Sequence, residues 1–118
     1  MYLFECQAKA LMRDWGIPVL EGAVATSEQR ALGAARELGE GPWVVKAQIH
    51  SGGRAKGCVE GESNLSGIEF SDTVLQVGRA AAGMLGAHLA TPQTMGKGET
   101  INAVYIEPEI KSSVQLFV

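Results

Sequence analysis

Two cysteines, Cys6 and Cys58, are too few for a disulfide framework, and no C-x-x-C pair or Cys/His metal spacing accompanies them. They read as reduced thiols of a cytosolic-type, cytoplasmic protein, with a Cys6–Cys58 bridge as the minor alternative. A secretory signal is missing. So is a long apolar run: Ala80 to Ala87 is interrupted by glycines and falls far short of the ~20 residues that cross a bilayer. The chain therefore reads as soluble, with no membrane partner. A strong charge excess is lacking too. Ten Lys and Arg face 13 Asp and Glu, a net of −3, so nothing global draws nucleic acid. Internal repeats, low-complexity tracts and interdomain linkers are absent. Neither G-x-x-x-x-G-K-[ST] nor G-x-G-x-x-G occurs, which excludes the two commonest glycine-rich phosphate fingerprints.

What is present is a globular composition, 46% hydrophobic and 19% charged over 118 residues, enough for one domain or part of one. At this length roughly 65% of the unfolded chain's surface can be buried. The informative stretch is Trp43-Val44-Val45-Lys46-Ala47-Gln48-Ile49-His50-Ser51-Gly52-Gly53-Arg54-Ala55-Lys56-Gly57. Side chains alternate along a strand, so Trp43, Val45, Ala47 and Ile49 share a core face. Val44, Lys46, Gln48 and His50 share the other. The strand then runs into a basic, glycine-rich loop, local against an acidic background. Glycine lets backbone approach a ligand closely. Exposed N–H groups with Lys46, Arg54 and Lys56 would suit an anionic, phosphate-bearing ligand. A hairpin with a flexible turn and solvated basic residues is the plain alternative. In that alternative Lys46 pairs with Glu107 or another acid, because an unpaired half-buried ammonium is costly.

The rest of the chain supplies the frame. Phe4, Ala8, Leu11, Met12 and Trp15 mark one stripe of a helix over 4–15, stopped by Gly16 and Pro18. Val19 to Ala25 reads as a strand. Thr26 with Gln29 forms a capping box for a helix over 27–38, closed by Gly39. Cys58 to Glu62 is a short return strand and Ser63 to Phe70 a connecting loop. Ser71 caps a helix from Asp72 to Leu85, with Val74, Leu75, Ala81 and Leu85 on its apolar side. Asp72 then favours the helix dipole. Leu89–Thr94 and Thr100–Glu107 form a hairpin around Met95–Glu99. Trp15 and Trp43 are core anchors, and His50 is satisfied locally. The chain stops inside the apolar segment Val114–Val118, which reads either as a docked terminal strand or as a truncation.

These segments together resemble the amino-terminal part of the succinate–CoA ligase (succinyl-CoA synthetase) β-subunit family, an ATP-grasp family that also covers malate–CoA ligases. The matching pieces are Glu5-Cys6-Gln7-Ala8-Lys9, Gly16-Ile17-Pro18-Val19, Gly22–Thr26, Gly41–His50, Gly52-Gly53-Arg54-Ala55-Lys56, Leu85-Gly86, Thr91–Thr94 and Val104–Glu107. The resemblance implies an α/β (α+β) fold, a mainly antiparallel sheet with packed helices, forming part of an ATP-grasp domain over 1–118. About 19–107 would be its smaller subdomain, with 1–18 and 108–118 belonging to the adjoining one. It implies that Lys46 contacts nucleotide phosphates and that Gly53, Arg54 and Ala55 close over them. Glu107 would lie near the adenine and ribose, Ile110 would offer a backbone contact, and Gln115 would stand where the family has a second nucleotide-binding glutamate. Ser51, Ala55 and Gln115 depart from the usual pattern, and 60–84 carries extra residues.

The implied chemistry is that of a tricarboxylic acid cycle ligase. ATP or GTP, a dicarboxylate such as succinate, and CoA give acyl-CoA, nucleoside diphosphate and phosphate. The partner would be an α-subunit carrying the phosphohistidine and the CoA site. Mg²⁺ ligands would lie beyond residue 118, with no catalytic residue within it, so these residues alone would be inactive. A different ATP-grasp ligase and a non-catalytic truncated paralogue acting as an interaction module stay open as alternatives. Leu20 leaves ATP against GTP undecided.

Overall fold

The alternation in residues 43–49 builds the centre of the molecule. In a computed structural model of the chain, residues 3–19, 21–50, 54, 57–60, 65–91 and 98–109 are described. Strand β2 (Trp43–Ala47) lies inside an antiparallel sheet with β1 (Ala23–Ala25), β4 (Ile68–Ser71) and β7 (Val104–Pro108), in the order β1-β7-β2-β4. Lys46 stands opposite Ile68 on one side and Tyr105 on the other. A smaller antiparallel sheet, β3 (Cys58–Val59), β5 (His88–Ala90) and β6 (Glu99–Thr100), has the order β3-β5-β6.

One face of the larger sheet carries the core. Trp43, Val45, Ala47, Val104 and Ile106 bury against helices α2 (Glu28–Glu37) and α3 (Val74–Met84). Helix α2 presents Ala31, Ala34 and Ala35, and α3 presents Val77, Gly78, Ala80, Ala81 and Met84. Small residues let both helices approach the sheet closely. Val59, Leu89 and Ile101 close the end of the same core. The α+β architecture expected from the sequence is the one observed.

Several boundaries differ from expectation. The first strand is confined to Ala23–Ala25. Ser27, rather than Thr26, caps α2, because its backbone is extended and its Oγ accepts the Arg30 N–H at 3.2 Å. Replacing Ser27 by Ala is expected to destabilise the chain by about 1 kcal/mol in urea titration. The expected loop before the third helix contains β4, four residues that complete the ladder on β2. Ser71 is buried in that strand, and Thr73 takes over as cap of α3, its Oγ1 accepting the Gln76 N–H at 3.1 Å. Asp72 therefore precedes the helix instead of opening it. Leu75 faces solvent, since the buried stripe runs through residues 77, 80, 81 and 84. The segment 100–107 is two strands in two sheets, broken at 101–103. Gly16 and Gly39 end their helices at positive φ, +77° and +93°, as anticipated.

Helix α1 (Glu5–Asp14) departs most. None of its residues is fully buried, and Trp15 is 79% exposed, so Trp15 is not a core anchor, whereas Trp43 is. The helix docks by its polar side, which turns Leu11 and Met12 outward. The expectations at Leu20, Ser51–Gly53, Ala55, Lys56, Pro92–Lys97, Ile110, Gln115 and Val114–Val118 lie outside the described residues.

Candidate anion-binding site

The face of the sheet opposite the core holds Lys46 from β2 with Tyr105 and Glu107 from β7. The antiparallel register sets Lys46 across from Tyr105 and Val44 across from Glu107, so the two charged side chains are diagonal neighbours. Helix α1 crosses this face. The Phe4 ring stacks on His50 at 4.2 Å, and the Cys6 N–H donates to the Gln48 side chain at 2.9 Å. Burial pushes the Cys6 thiol pKa up. These anchors bring Glu5 and Lys9, one helical turn apart, over Lys46 and Glu107.

The four charges close a ring of alternating sign. Lys46 Nζ lies 2.9 Å from Glu5 Oε1 and 2.5 Å from Glu107 Oε1; Lys9 Nζ lies 2.5 Å from Glu107 Oε2 and 3.2 Å from Glu5 Oε1. Arg54 joins from outside. One guanidinium nitrogen donates to the Ala47 carbonyl at 3.0 Å and the other pairs with Glu5 Oε2 at 2.7 Å. The Arg54 carbonyl accepts the N–H groups of Gly67 at 2.9 Å and Gly57 at 3.1 Å. A Cβ at Gly67 would run into Arg54 and Leu89, so only glycine lets the two segments touch there.

Three cations, Lys9, Lys46 and Arg54, thus face two carboxylates, leaving one net positive charge. Glu107 is nearly enclosed, its side chain 5% exposed, and the rest of the cluster is shielded to about four-fifths. An ammonium has three donors. Two of those on Lys46 are taken by carboxylates, and the third has no acceptor among the described residues. Arg54 likewise has donors with no acceptor among the described residues. Tyr105 lies beneath Lys9, whose Nζ is 5.0 Å from the ring centre, and the buried phenol oxygen has no hydrogen-bond partner among the described residues. Lys46, Arg54 and Glu107 are brought together, with Lys46 paired to Glu107 and Glu5, the pairing that the plain alternative expected of a half-buried lysine. Glu5 and Lys9 were not singled out as site residues. Their signal is an acid and a base at i,i+4 on the first helix, complementing a strand lysine that needs a partner. Gly53, Ala55, Ile110 and Gln115 lie outside the described residues. His50 was expected to be satisfied locally; instead its backbone N–H donates to the distant Glu99 carboxylate at 2.6 Å and its ring stacks on Phe4.

Burial alone would raise the Glu5 carboxyl, but the Lys46 hydrogen bond and the Arg54 charge outweigh it and hold the pKa at about 2, against 4.5 for a free side chain. Burial alone would lower Lys9, but Glu107 and Glu5 raise it. A carboxyl lowered on folding stabilises the chain above its unfolded pKa and loses that contribution as pH falls. An amine raised on folding stabilises below its unfolded pKa and loses it as pH rises through the folded one. Urea titrations should therefore show stability falling below pH 4.5, toward pH 2, and again above pH 10.5. The acid arm is expected to be about 1–2 kcal/mol after solvent screening, and it should vanish in Glu5→Gln.

A groove of about 720 Å³ lined by Leu65, Phe70, Gln76, Arg79 and Ala80 shares no residue with the cluster. Among the described residues no His, Cys, Asp and Glu group is arranged for a metal, and no helix is long and apolar enough to cross a membrane.

The chain is thus an α+β unit, an antiparallel sheet with helices on one face and a shielded cluster of three cations and two carboxylates on the other. The family model described as an ATP-grasp domain matches residues 2–118, and the chain belongs to that family. Its relatives include the protein named succinate–CoA ligase [ADP-forming] subunit beta of Xylella fastidiosa strain 9a5c, 41% identical over 118 residues, all of this chain and 28% of that protein. The protein of the same name from Stenotrophomonas maltophilia strain K279a is 44% identical over 106 residues, 90% of this chain and 25% of that protein. The chain thus spans about a quarter of the length of these relatives.

Proposed function

We propose that this chain is the nucleotide-gripping part of an acid–CoA ligase β-subunit, with ATP, succinate or a related dicarboxylate, and CoA as the full protein's substrates. The observation that carries this reading is the Lys46 ammonium, fixed on the polar face of the sheet with one donor that meets no acceptor among the described residues and Arg54 beside it. Such a pair suits phosphate oxygens, and the cluster's net positive charge favours a polyanion. Lys46 would take phosphate charge directly. Arg54, with Gly53 and Ala55, would close over the phosphates. Glu107 would meet the nucleoside, with Ile110 and Gln115 as further nucleotide contacts. The relatives' names specify ADP formation, which favours ATP over GTP.

On this reading residues 19–107 are the smaller subdomain, and 1–18 with 108–118 join its neighbour. The exposed Leu11, Met12 and Trp15 support a further packing partner for α1. The donor set fits a phosphate chain. Mg²⁺, when bound, would neutralise phosphate charge; the described residues offer it no carboxylate cluster, and its ligands are assigned elsewhere. An α-subunit with the phosphohistidine and CoA site completes the reaction, in the cytoplasm. Calorimetry on the full-length gene product should give micromolar ATP·Mg affinity. A coupled assay with the α-subunit should give succinyl-CoA or a close relative. Absence of nucleotide binding would overturn the reading.

A further inference from the structure

Glu5 is the one carboxylate in the cluster that reaches both cations assigned to phosphate, and it does so from a helix outside the sheet. Its Oε1 takes a hydrogen bond from Lys46 at 2.9 Å and its Oε2 pairs with Arg54 at 2.7 Å. Lys9, on the same face of α1, ties Glu5 to Glu107. A lysine on four methylenes has many rotamers, and fixing one costs side-chain entropy. The ring meets that cost before any ligand arrives. Two acceptors fix two of the three N–H directions on Lys46, and tetrahedral geometry then fixes the third.

We propose that Glu5, steadied by Lys9, is a positioning residue: it aims the unused N–H of Lys46 at the nucleotide phosphates and tethers Arg54 beside it, so that docking of helix α1 and nucleotide binding are coupled. This rests on the nucleotide reading above and deepens it. Positioning of a strand lysine by a helical glutamate has a parallel in protein kinases, offered as analogy only. Glu5 does not touch the nucleotide. Among the described residues its carboxylate leaves donors on both cations without an acceptor, which separates this role from a plug that must be expelled before phosphate can bind. Coupling of this kind is reciprocal, so nucleotide should also tighten α1 against the sheet.

The test is ATP·Mg affinity of the full-length gene product by calorimetry, with urea midpoints as a folding control. Glu5→Gln should weaken binding about tenfold, and Glu5→Asp should recover most of that loss. In a Lys46→Met background the Glu5→Gln penalty should shrink about threefold or more, because the two act through one contact. Lys9→Gln should give a smaller loss that Lys9→Arg restores; this pair carries the test if Glu5→Gln does not fold. Amide exchange in residues 5–14 should slow when ATP binds. Unchanged affinity in Glu5→Gln overturns the proposal, as does tighter binding, which would mark Glu5 as a plug. A penalty indifferent to Lys46 also overturns it, since that is a general structural effect. If Lys46→Met itself leaves affinity unchanged, the nucleotide reading fails. If Lys46→Met weakens binding and Glu5→Gln does not, only the positioning role fails.

Discussion

Lys46→Met is expected to lower ATP affinity, or turnover in the assembled ligase, by about 10²–10³-fold, the loss typical of removing one charged donor from a shielded site. Methionine keeps the length and much of the apolar stem, so packing beside Val44 and Tyr105 survives while the charge does not. The ring is then left with Lys9 and Arg54 against Glu5 and Glu107, and the nearly enclosed Glu107 retains one partner instead of two. Stability should fall by about 1–3 kcal/mol, well short of unfolding a typical domain. A Lys46→Arg control sharpens the result. The planar fork of arginine cannot reproduce a tetrahedral ammonium bridging Glu5 and Glu107, so it should restore stability further than binding. Full nucleotide affinity in Lys46→Met would remove this residue from the phosphate site.

How much of this was legible in the sequence depends on what set each feature. The two faces of β2 were readable because five consecutive residues alternate against one core, and Trp43, Val45 and Ala47 are buried as that alternation requires. The ends of α1 and α2 were readable because a glycine at positive φ marks a stop. Strands β3 and β6, two residues each, carry no periodicity to read. Strand β4 was hidden because Ile68 and Phe70 are one alternation deep, and Phe70 faces solvent. The apolar stripe of α1 was visible and its meaning was inverted. Leu11, Met12 and Trp15 mark a helix, yet the side chains that dock it are Glu5 and Lys9, chosen by charges 40 and more residues away. The site divides in the same way. Lys46, Arg54 and Glu107 announce themselves as a strand cation, a loop cation and a strand-end acid. That Glu5 and Lys9 complete the ring is a fact of tertiary register, which no local pattern encodes.

Glu107→Leu is expected to be the most destabilising change in the cluster, at about 2–4 kcal/mol. Lys9 and Lys46 each lie 2.5 Å from one of the two carboxylate oxygens of Glu107, whose side chain is 5% exposed. Leucine fills the volume but leaves two ammoniums facing each other with only Glu5 between them. Like charges held at that range in a shielded site repel. Glu107→Gln keeps one acceptor oxygen and the shape, so it should cost less, about 1–3 kcal/mol. In Glu107→Leu the alkaline stability loss tied to Lys9 should also disappear, since Glu107 is the chief group raising that amine. The decisive comparison is the double variant. Removing Lys46 together with Glu107 takes away a charge of each sign and relieves the repulsion, so Lys46→Met with Glu107→Leu should be more stable than the sum of the single losses by about 1–3 kcal/mol. Urea titrations of the four proteins measure this directly. Additive losses would mean that the two side chains do not share one ring, and that the diagonal pairing across β2 and β7 does not set the site's charge.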